Sequence, residues 1–358
     1  MSFKEGRIGS AQIVSENIRL HTDSSDHRRL ETDVGGWRLN RHGSFGPAYL
    51  RLSITDQCNL RCSYCRPVSA AGQSSLPQLA DDSELLDLVR LVSEETGIHK
   101  LRLSGGEPLL CPGLPKLIEQ IRSMLPELTL GVTTNGTLLA EAASELRSAG
   151  LNSVNVSLDS LDPDRFYEVA GSRGLEATLQ GIRVAVEAGF SSVKINAVLI
   201  RRVNGDQLHD LVRFAAETGC EIRFIELMPY GHGAELFESD YLAAEEALGF
   251  LKHKFQYLGP VEPTGTSSRH RFFVDGSVTV VGMITPVSEP FCSRCDRLRV
   301  NRVGRLYVCL RQPRGVDLLT PLRSGDEPIV RRRIREAISS KRDPGVHWPD
   351  RRMVTIGG

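Results

Sequence analysis

No run in these 358 residues approaches 18 consecutive apolar positions, which argues against a helix that crosses a bilayer. The opening Met1-Ser2-Phe3-Lys4 lacks the apolar core of a secretory leader, so a cytoplasmic protein with reduced thiols is expected. No G-x4-G-K-[ST] segment occurs, so any nucleoside triphosphate bound here is not held as a P-loop hydrolase holds one. There is no internal repeat beyond alternating elements and no long low-complexity linker. Net charge is absent too, with 44 basic residues balancing 44 acidic ones. The balance is uneven along the chain. From Cys292 to Gly358 there are 16 lysines and arginines against 7 acidic residues, and that end should attract an anion. No aromatic-studded sheet or recognition-helix motif accompanies the charge, so a phosphorylated small molecule fits at least as well as nucleic acid.

What the chain does have is eight cysteines, six of them in two tight groups. Cys58-x3-Cys62-x2-Cys65 directly follows an apolar, strand-like run. Thiolates at this spacing can grip three corners of a cubane iron–sulfur cluster, a site normally closed by four cysteines, so one iron would stay open. The competing reading is zinc or buried thiols, but zinc prefers four ligands and His42 and His99 are far away in sequence. Cys292-x2-Cys295-x13-Cys309 again offers three thiolates, with no further Cys or His before His347. A second cluster with an exposed iron is the more economical reading there, and zinc the alternative. Between those ligands, Arg297-Leu298-Arg299 would place two guanidinium groups on one side of an extended segment, suited to phosphate or a purine edge. Cys111 and Cys220 stand alone and read as packing residues.

Periodicity supplies the frame. Strands are expected at 49–54, 100–103, 129–133, 153–157, 192–198 and 221–225, with helices at 83–95, 114–124, 140–149, 175–188 and 206–217 between them. Strict alternation predicts an α/β fold with parallel strands, either a doubly wound sheet or, preferred here, a partial six-unit (β/α) barrel. Polar and unusual residues fall at the C-terminal strand ends, where barrels carry their sites: the first cysteine group, Gly105-Gly106-Glu107-Pro108, Thr134-Asn135-Gly136, Ser157-Leu158-Asp159 and Met228-Pro229-Tyr230-Gly231. Gly105-Gly106 would let backbone approach a ligand closely, and Lys194 and Asn196 share one strand face. Residues 1–46 read as a partly disordered extension, 47–231 as the barrel and 232–358 as a C-terminal region. In that last region a helix is expected at 241–252 and a hairpin, 271–274 with 277–284, around Asp275-Gly276. A helix at 328–340 would carry Arg331, Arg332, Arg333 and Arg335 as a solvated face.

The first cysteine group together with Ser104-Gly105-Gly106-Glu107-Pro108 resembles the radical S-adenosylmethionine (SAM) enzymes. From Tyr49 to Gly358, with the second cysteine group, its Arg-Leu-Arg and the terminal Gly357-Gly358, the chain resembles the GTP 3′,8-cyclase family of molybdenum-cofactor biosynthesis. These are radical SAM lyases that convert GTP to 3′,8-cyclo-7,8-dihydro-GTP. The resemblance implies a partial barrel with a C-terminal extension, two [4Fe–4S] clusters and SAM as cosubstrate. Cys58, Cys62 and Cys65 would hold the first cluster, with Tyr64, Gly106, Ser157 and Met228 on SAM. Cys292, Cys295 and Cys309 would hold a second whose free iron meets guanine. Arg51, Arg102, Thr133, Lys194, Arg297, Leu298 and Arg299 would line the GTP site, and no side chain is assigned as acid or base. It implies hydrogen abstraction at ribose C3′ by a 5′-deoxyadenosyl radical, then C3′–C8 bond formation. It also implies a one-electron reductant, a homodimer and hand-over to the next enzyme, cyclic pyranopterin monophosphate synthase, with no nucleic-acid or membrane partner. The chain departs from the family pattern at Arg66, at Asp296, between Lys341 and Trp348, and in its N-terminal extension. Alternatives are a radical SAM enzyme acting on a peptide or another small molecule, and a non-enzymatic metal-binding module. Either enzyme reading expects Cys62→Ala to abolish SAM cleavage.

Overall fold

The computed structural model describes residues 48–65, 79–292 and 295–342, and the backbone of a two-residue antiparallel pair, Arg38–Leu39 with Phe45–Gly46. The rest of the N-terminal extension, Arg66 and the Gly357-Gly358 tail lie outside the described residues. Six strands, Tyr49–Ser53 (β1), Lys100–Ser104 (β2), Thr129–Thr134 (β3), Ser153–Ser157 (β4), Ser192–Leu199 (β5) and Glu221–Glu226 (β6), pair in parallel in chain order. The intervening helices are Asp82–Thr96 (α1), Leu114–Met124 (α2), Leu139–Ser148 (α3), Pro163–Ala170 (α4), Leu175–Glu187 (α5) and Leu208–Thr218 (α6). Parallel neighbours need a crossover, and each crossover here is helical. Asp81 and Glu84 form a capping box at the start of α1, and Gly97, at φ 68°, ends that helix in the left-handed conformation.

Each strand sorts its side chains by alternation. Leu50 and Leu52, Leu101 and Leu103, Leu130 and Val132, Val154 and Val156, and Ile195 and Ala197 are fully buried in one continuous apolar core. The alternate positions, Arg51, Arg102, Thr133, Asn155, Lys194 and Arg223, line a cavity on the other face.

The chain beyond β6 extends the same sheet at both ends. Gly233–Asp240 (α7) and Ala244–Lys254 (α8) lead into Gln256–Thr264 (β7), Ser267–Val274 (β8) and Ser277–Ile284 (β9), and then Arg297–Val300 (β10), Arg305–Tyr307 (β11) and Val316–Asp317 (β12). The 12-stranded order is β12-β11-β10-β1-β2-β3-β4-β5-β6-β9-β8-β7. Strand β9 runs parallel to β6, with Val281 opposite Ile222, and β10 runs parallel to β1, with Arg297 opposite Tyr49. No pairing joins β9 to β10 among the described residues, so the barrel is partial and open. The expected hairpin forms, with Val274 opposite Ser277 and positive φ at Asp275 (44°) and Gly276 (95°), the geometry of a tight two-residue turn.

One expectation needs correcting. On Glu327–Ser339, the last long helix (α10 after the short α9, Leu319–Arg323), the arginine run is a solvated face only in part. Arg331 donates to Glu95 Oε1 at 2.9 Å, to Glu327 Oε1 at 2.6 Å and to Glu94, while Arg335 reaches Glu95 Oε2 at 3.0 Å. Glu95 is 3% exposed, so a buried carboxylate on α1 draws Arg331 inward, whereas Arg335 reaches it from an exposed position. Arg332, whose ion pair among the described residues is with the exposed Glu336, behaves as expected.

Candidate active site

A single cavity of about 780 Å³ is lined by all six grouped cysteines: Cys58, Cys62 and Cys65 on one side, Cys292, Cys295 and Cys309 on another. None of the six is in a disulfide. Among the described residues no three His, Cys, Asp or Glu side chains converge as closely as one metal ion requires. Three thiolates per triad are the donor set that three corners of a cubane cluster take.

The first triad occupies the loop leaving β1, and the glycines after β2 shape it. A Cβ on Gly105 would lie 2.3 Å from Thr55 O, and one on Gly106 would lie 2.0 Å from Gln57 O. Gly105 also sits at φ 148°. Gly106 N donates to Thr55 O and Glu107 N to Gln57 O, each at 2.7 Å. The glycines therefore let two loops stack, which seats the segment entering Cys58; this is a more direct reason for them than contact with a ligand. Glu107 is buried and accepts from Leu109 N (3.0 Å), Thr134 Oγ1 (2.7 Å) and Asn135 N (2.7 Å). Burial raises its pKa. Asn135 Nδ2 in turn donates to Asn59 Oδ1 at 2.8 Å and approaches Cys58 Sγ at 3.9 Å. From the other side, Arg61 N and Ser63 N bond to Ala170 O and Val169 O at the end of α4. Tyr64 donates to Asp159 Oδ2 at 2.8 Å, and Asp159 Oδ1 accepts from Val198 N at 2.7 Å. Burial lifts Asp159 to about 6. Burial, then the charges of Cys65, Asp159 and Cys58, pushes the Cys62 thiol well up. Three thiolates here need a cation, and iron fits that donor set.

The second triad is braced differently. Lys341 donates to Arg297 O and Val308 O, both at 2.5 Å, and stands 3.8 Å from Cys295 Sγ. Arg311 N approaches Cys309 Sγ at 3.4 Å, and Arg311 Nη2 donates to Pro286 O at 3.1 Å.

Between the triads the strand register aligns cations. Arg299 on β10, Arg51 on β1 and Arg102 on β2 stand directly opposite one another. Like charges in such a row repel. Burial first, then Arg299 for Arg51 and Arg297 for Arg299, brings Arg51 down to about 9 and Arg299 to about 10. Arg102 is buried and donates to Val132 O at 2.8 Å and Ser153 Oγ at 3.2 Å. Gly131 makes room for it, since a Cβ there would lie 2.8 Å from the guanidinium carbon. Lys194 pairs with Glu221 at 2.9 Å, and burial followed by Arg223 lowers it to about 8. Glu221 also accepts from Arg223 at 2.7 Å and Arg269 at 3.1 Å, and despite burial these partners hold it at about 2. Buried Arg51 Nε, Thr133 Oγ1, Asn155 Oδ1, Asn196 Oδ1 and Arg297 Nε have no hydrogen-bond partner among the described residues. Buried polar atoms are normally satisfied, so this cavity is built for a polar, anionic occupant.

The structure thus brings Arg51, Arg102, Thr133, Lys194, Arg297 and Arg299 into one cavity with Tyr64, Gly106, Ser157 and Met228. Leu298 turns away, fully buried in the apolar core, so its side chain does not line the cavity. Sequence reading passed over Tyr49, Lys100, Arg223 and Lys341, which also line it. The strand alternation that marked Lys194 would have marked the first three. Nothing in the sequence pointed to Lys341.

The Radical SAM superfamily matches residues 52–215 and Molybdenum Cofactor Synthesis C matches residues 220–346. The GTP 3′,8-cyclase of Streptomyces coelicolor is 38% identical over 318 residues, covering 86% of this chain and 93% of that protein. That of Microcystis aeruginosa is 40% identical over 325 residues, covering 87% and 98%. Among solved structures, Streptococcus suis SuiB bound to S-adenosylmethionine aligns with a TM-score of 0.57 at 15% identity, covering 79% of this chain and 67% of that one, a likeness of fold. With this identity along nearly its whole length, and with two cysteine triads on one cavity, the chain belongs to the GTP 3′,8-cyclase family of radical SAM enzymes.

Proposed function

We propose that this chain is a lyase that converts GTP to (8S)-3′,8-cyclo-7,8-dihydroguanosine 5′-triphosphate for molybdenum-cofactor biosynthesis. The observation that carries the reading is the cavity itself, which is lined by both cysteine triads and by an aligned row of cations. When bound, two [4Fe–4S] clusters and SAM supply one-electron cleavage of SAM and hydrogen abstraction at ribose C3′.

The chain's own residues bind, aim and shield. Cys58, Cys62 and Cys65 would hold the SAM cluster, with Gly106, Ser157 and Met228 beside the cosubstrate and Tyr64 fixed by Asp159. Cys292, Cys295 and Cys309 would hold the second cluster, against which the guanine is oriented. Arg51, Arg102, Lys194, Arg297 and Arg299 hold the triphosphate by charge-assisted hydrogen bonds, and Thr133 offers a hydroxyl. Leu298 could contribute only backbone. In this reading 47–231 carries the SAM side and 232–358 the guanine side. A one-electron reductant, a homodimer and transfer of the product to the next pathway enzyme complete the proposal. None of the described helices is long and apolar enough to cross a membrane, and a cytoplasmic setting belongs to the same proposal.

The test is anaerobic incubation of the reconstituted protein with SAM, dithionite and GTP. Stoichiometric 5′-deoxyadenosine and a cyclised guanosine triphosphate are expected. Deoxyadenosine without any cyclised product would assign the cavity another substrate, and no deoxyadenosine with any substrate would remove the enzymatic reading.

A further inference from the structure

Tyr49 begins β1 and stands, in register, opposite Lys100 on β2 and Arg297 on β10. Its phenol oxygen accepts from Arg102 Nε at 3.2 Å. Lys100 Nζ lies 5.1 Å from the ring centroid and the Arg297 guanidinium 5.7 Å from it, so cations flank the ring as well. Arg51 follows on the same strand face, and Arg299 lies opposite Arg51. Two carboxylates are in the neighbourhood. Asp296 accepts from Ala48 N and Tyr49 N through its backbone carbonyl, while its side chain senses Arg297, Lys341 and Lys100. Glu221 is committed to Lys194, Arg223 and Arg269. Burial pushes the Tyr49 phenol up, but Arg102, Arg51, Arg297 and Lys100 together outweigh it and bring the group to about 7.

We propose that Tyr49 is a positioning residue of the anion cradle: its oxygen is the counter-charge that keeps Arg102, Lys100 and Arg297 in place, and it takes up a proton when a polyphosphate enters and replaces it. The inference rests on the GTP reading above and deepens it. A polyanion among these cations makes a second negative charge in the same shell costly, so the phenolate oxygen forms an O–H bond with a proton drawn from the buffer. No electrons change hands.

The direct experiment is isothermal titration of the anaerobic holoenzyme with GTP at about pH 8, in two buffers of different ionisation enthalpy. Wild type is expected to take up about one proton more per nucleotide than Tyr49→Phe. Its near-ultraviolet tyrosinate absorbance should fall on binding, and inorganic triphosphate should reproduce both effects. The sign also fixes a pH profile. The complex favours the neutral phenol, so wild-type affinity falls as pH rises above about 7, and the Phe variant lacks that part of the slope. The slope left in the variant belongs to Lys194, at about 8, and at higher pH to Arg51, at about 9. Equal proton uptake and equal slopes in the two proteins would overturn the proposal. Should Tyr49→Phe not fold, an unchanged tyrosinate band in wild type on binding would overturn it as well. A wild type that binds no GTP strikes instead at the functional reading beneath it.

Discussion

The two cysteine triads share one cavity but are held by opposite means. The first is braced by buried acceptors and amides, Glu107, Asn135 and Asp159, all supplied by barrel loops next to it in the sheet. The second is braced by the Lys341 ammonium at Cys295, on the segment after α10 that Arg331 fastens to α1, and by the Arg311 amide at Cys309. The first triad is thus a product of the barrel's own folding, whereas the second depends on a distant segment docking correctly. Damage to the docking should empty the second and spare the first.

The contrast breaks most sharply at the ligands. Cys62→Ala is expected to abolish 5′-deoxyadenosine formation and to lose about half the bound iron, while Cys309→Ala loses the other half and keeps SAM cleavage. Iron, acid-labile sulfide and deoxyadenosine assays on both variants decide; one substitution that empties both triads would make them a single unit. Next in size is Glu107→Ala, which strands three buried donors, Leu109 N, Thr134 Oγ1 and Asn135 N. A cost of about 2–4 kcal/mol is expected in anaerobic urea unfolding, with iron lost from the first triad. Arg331→Ala should cost about 2–3 kcal/mol, because it takes a guanidinium partner from the buried Glu95, and should lower iron at the second triad alone. Arg332→Ala, one residue along, should change stability by less than about 0.5 kcal/mol. Similar losses from Arg331 and Arg332 would dissolve the docking account.

Most of the fold was legible because parallel strands buried on one face declare themselves: the six strands and five helices between them lie within a residue or two of where periodicity puts them, while the short α4, Pro163–Ala170, was not foreseen. Strands β11 and β12 were not legible, and of β10 only an extended Arg297-Leu298-Arg299 was. They are two to four residues long, and what makes them strands is the edge of β1, not their own sequence. The site was legible to the extent that its chemistry is local. Two cysteine groups and Arg297-Leu298-Arg299 can be read in place, but Lys341 acquires a role only once α10 delivers it to the second triad. The arginine run on that helix misled for the same reason, since Arg331 turns inward to a buried Glu95 more than two hundred residues away.

The pairing of β10 with β1 joins residues made at opposite ends of translation. All six barrel strands have left the ribosome before Cys292 is added, and at roughly 5–20 residues per second the stretch from Glu226 to Cys309 occupies on the order of ten seconds. For that interval a nascent chain can offer iron one complete set of thiols only. On the function proposed above, the thiols assigned to the centre that cleaves the cosubstrate are therefore available to be filled before those assigned to the one that greets the nucleotide.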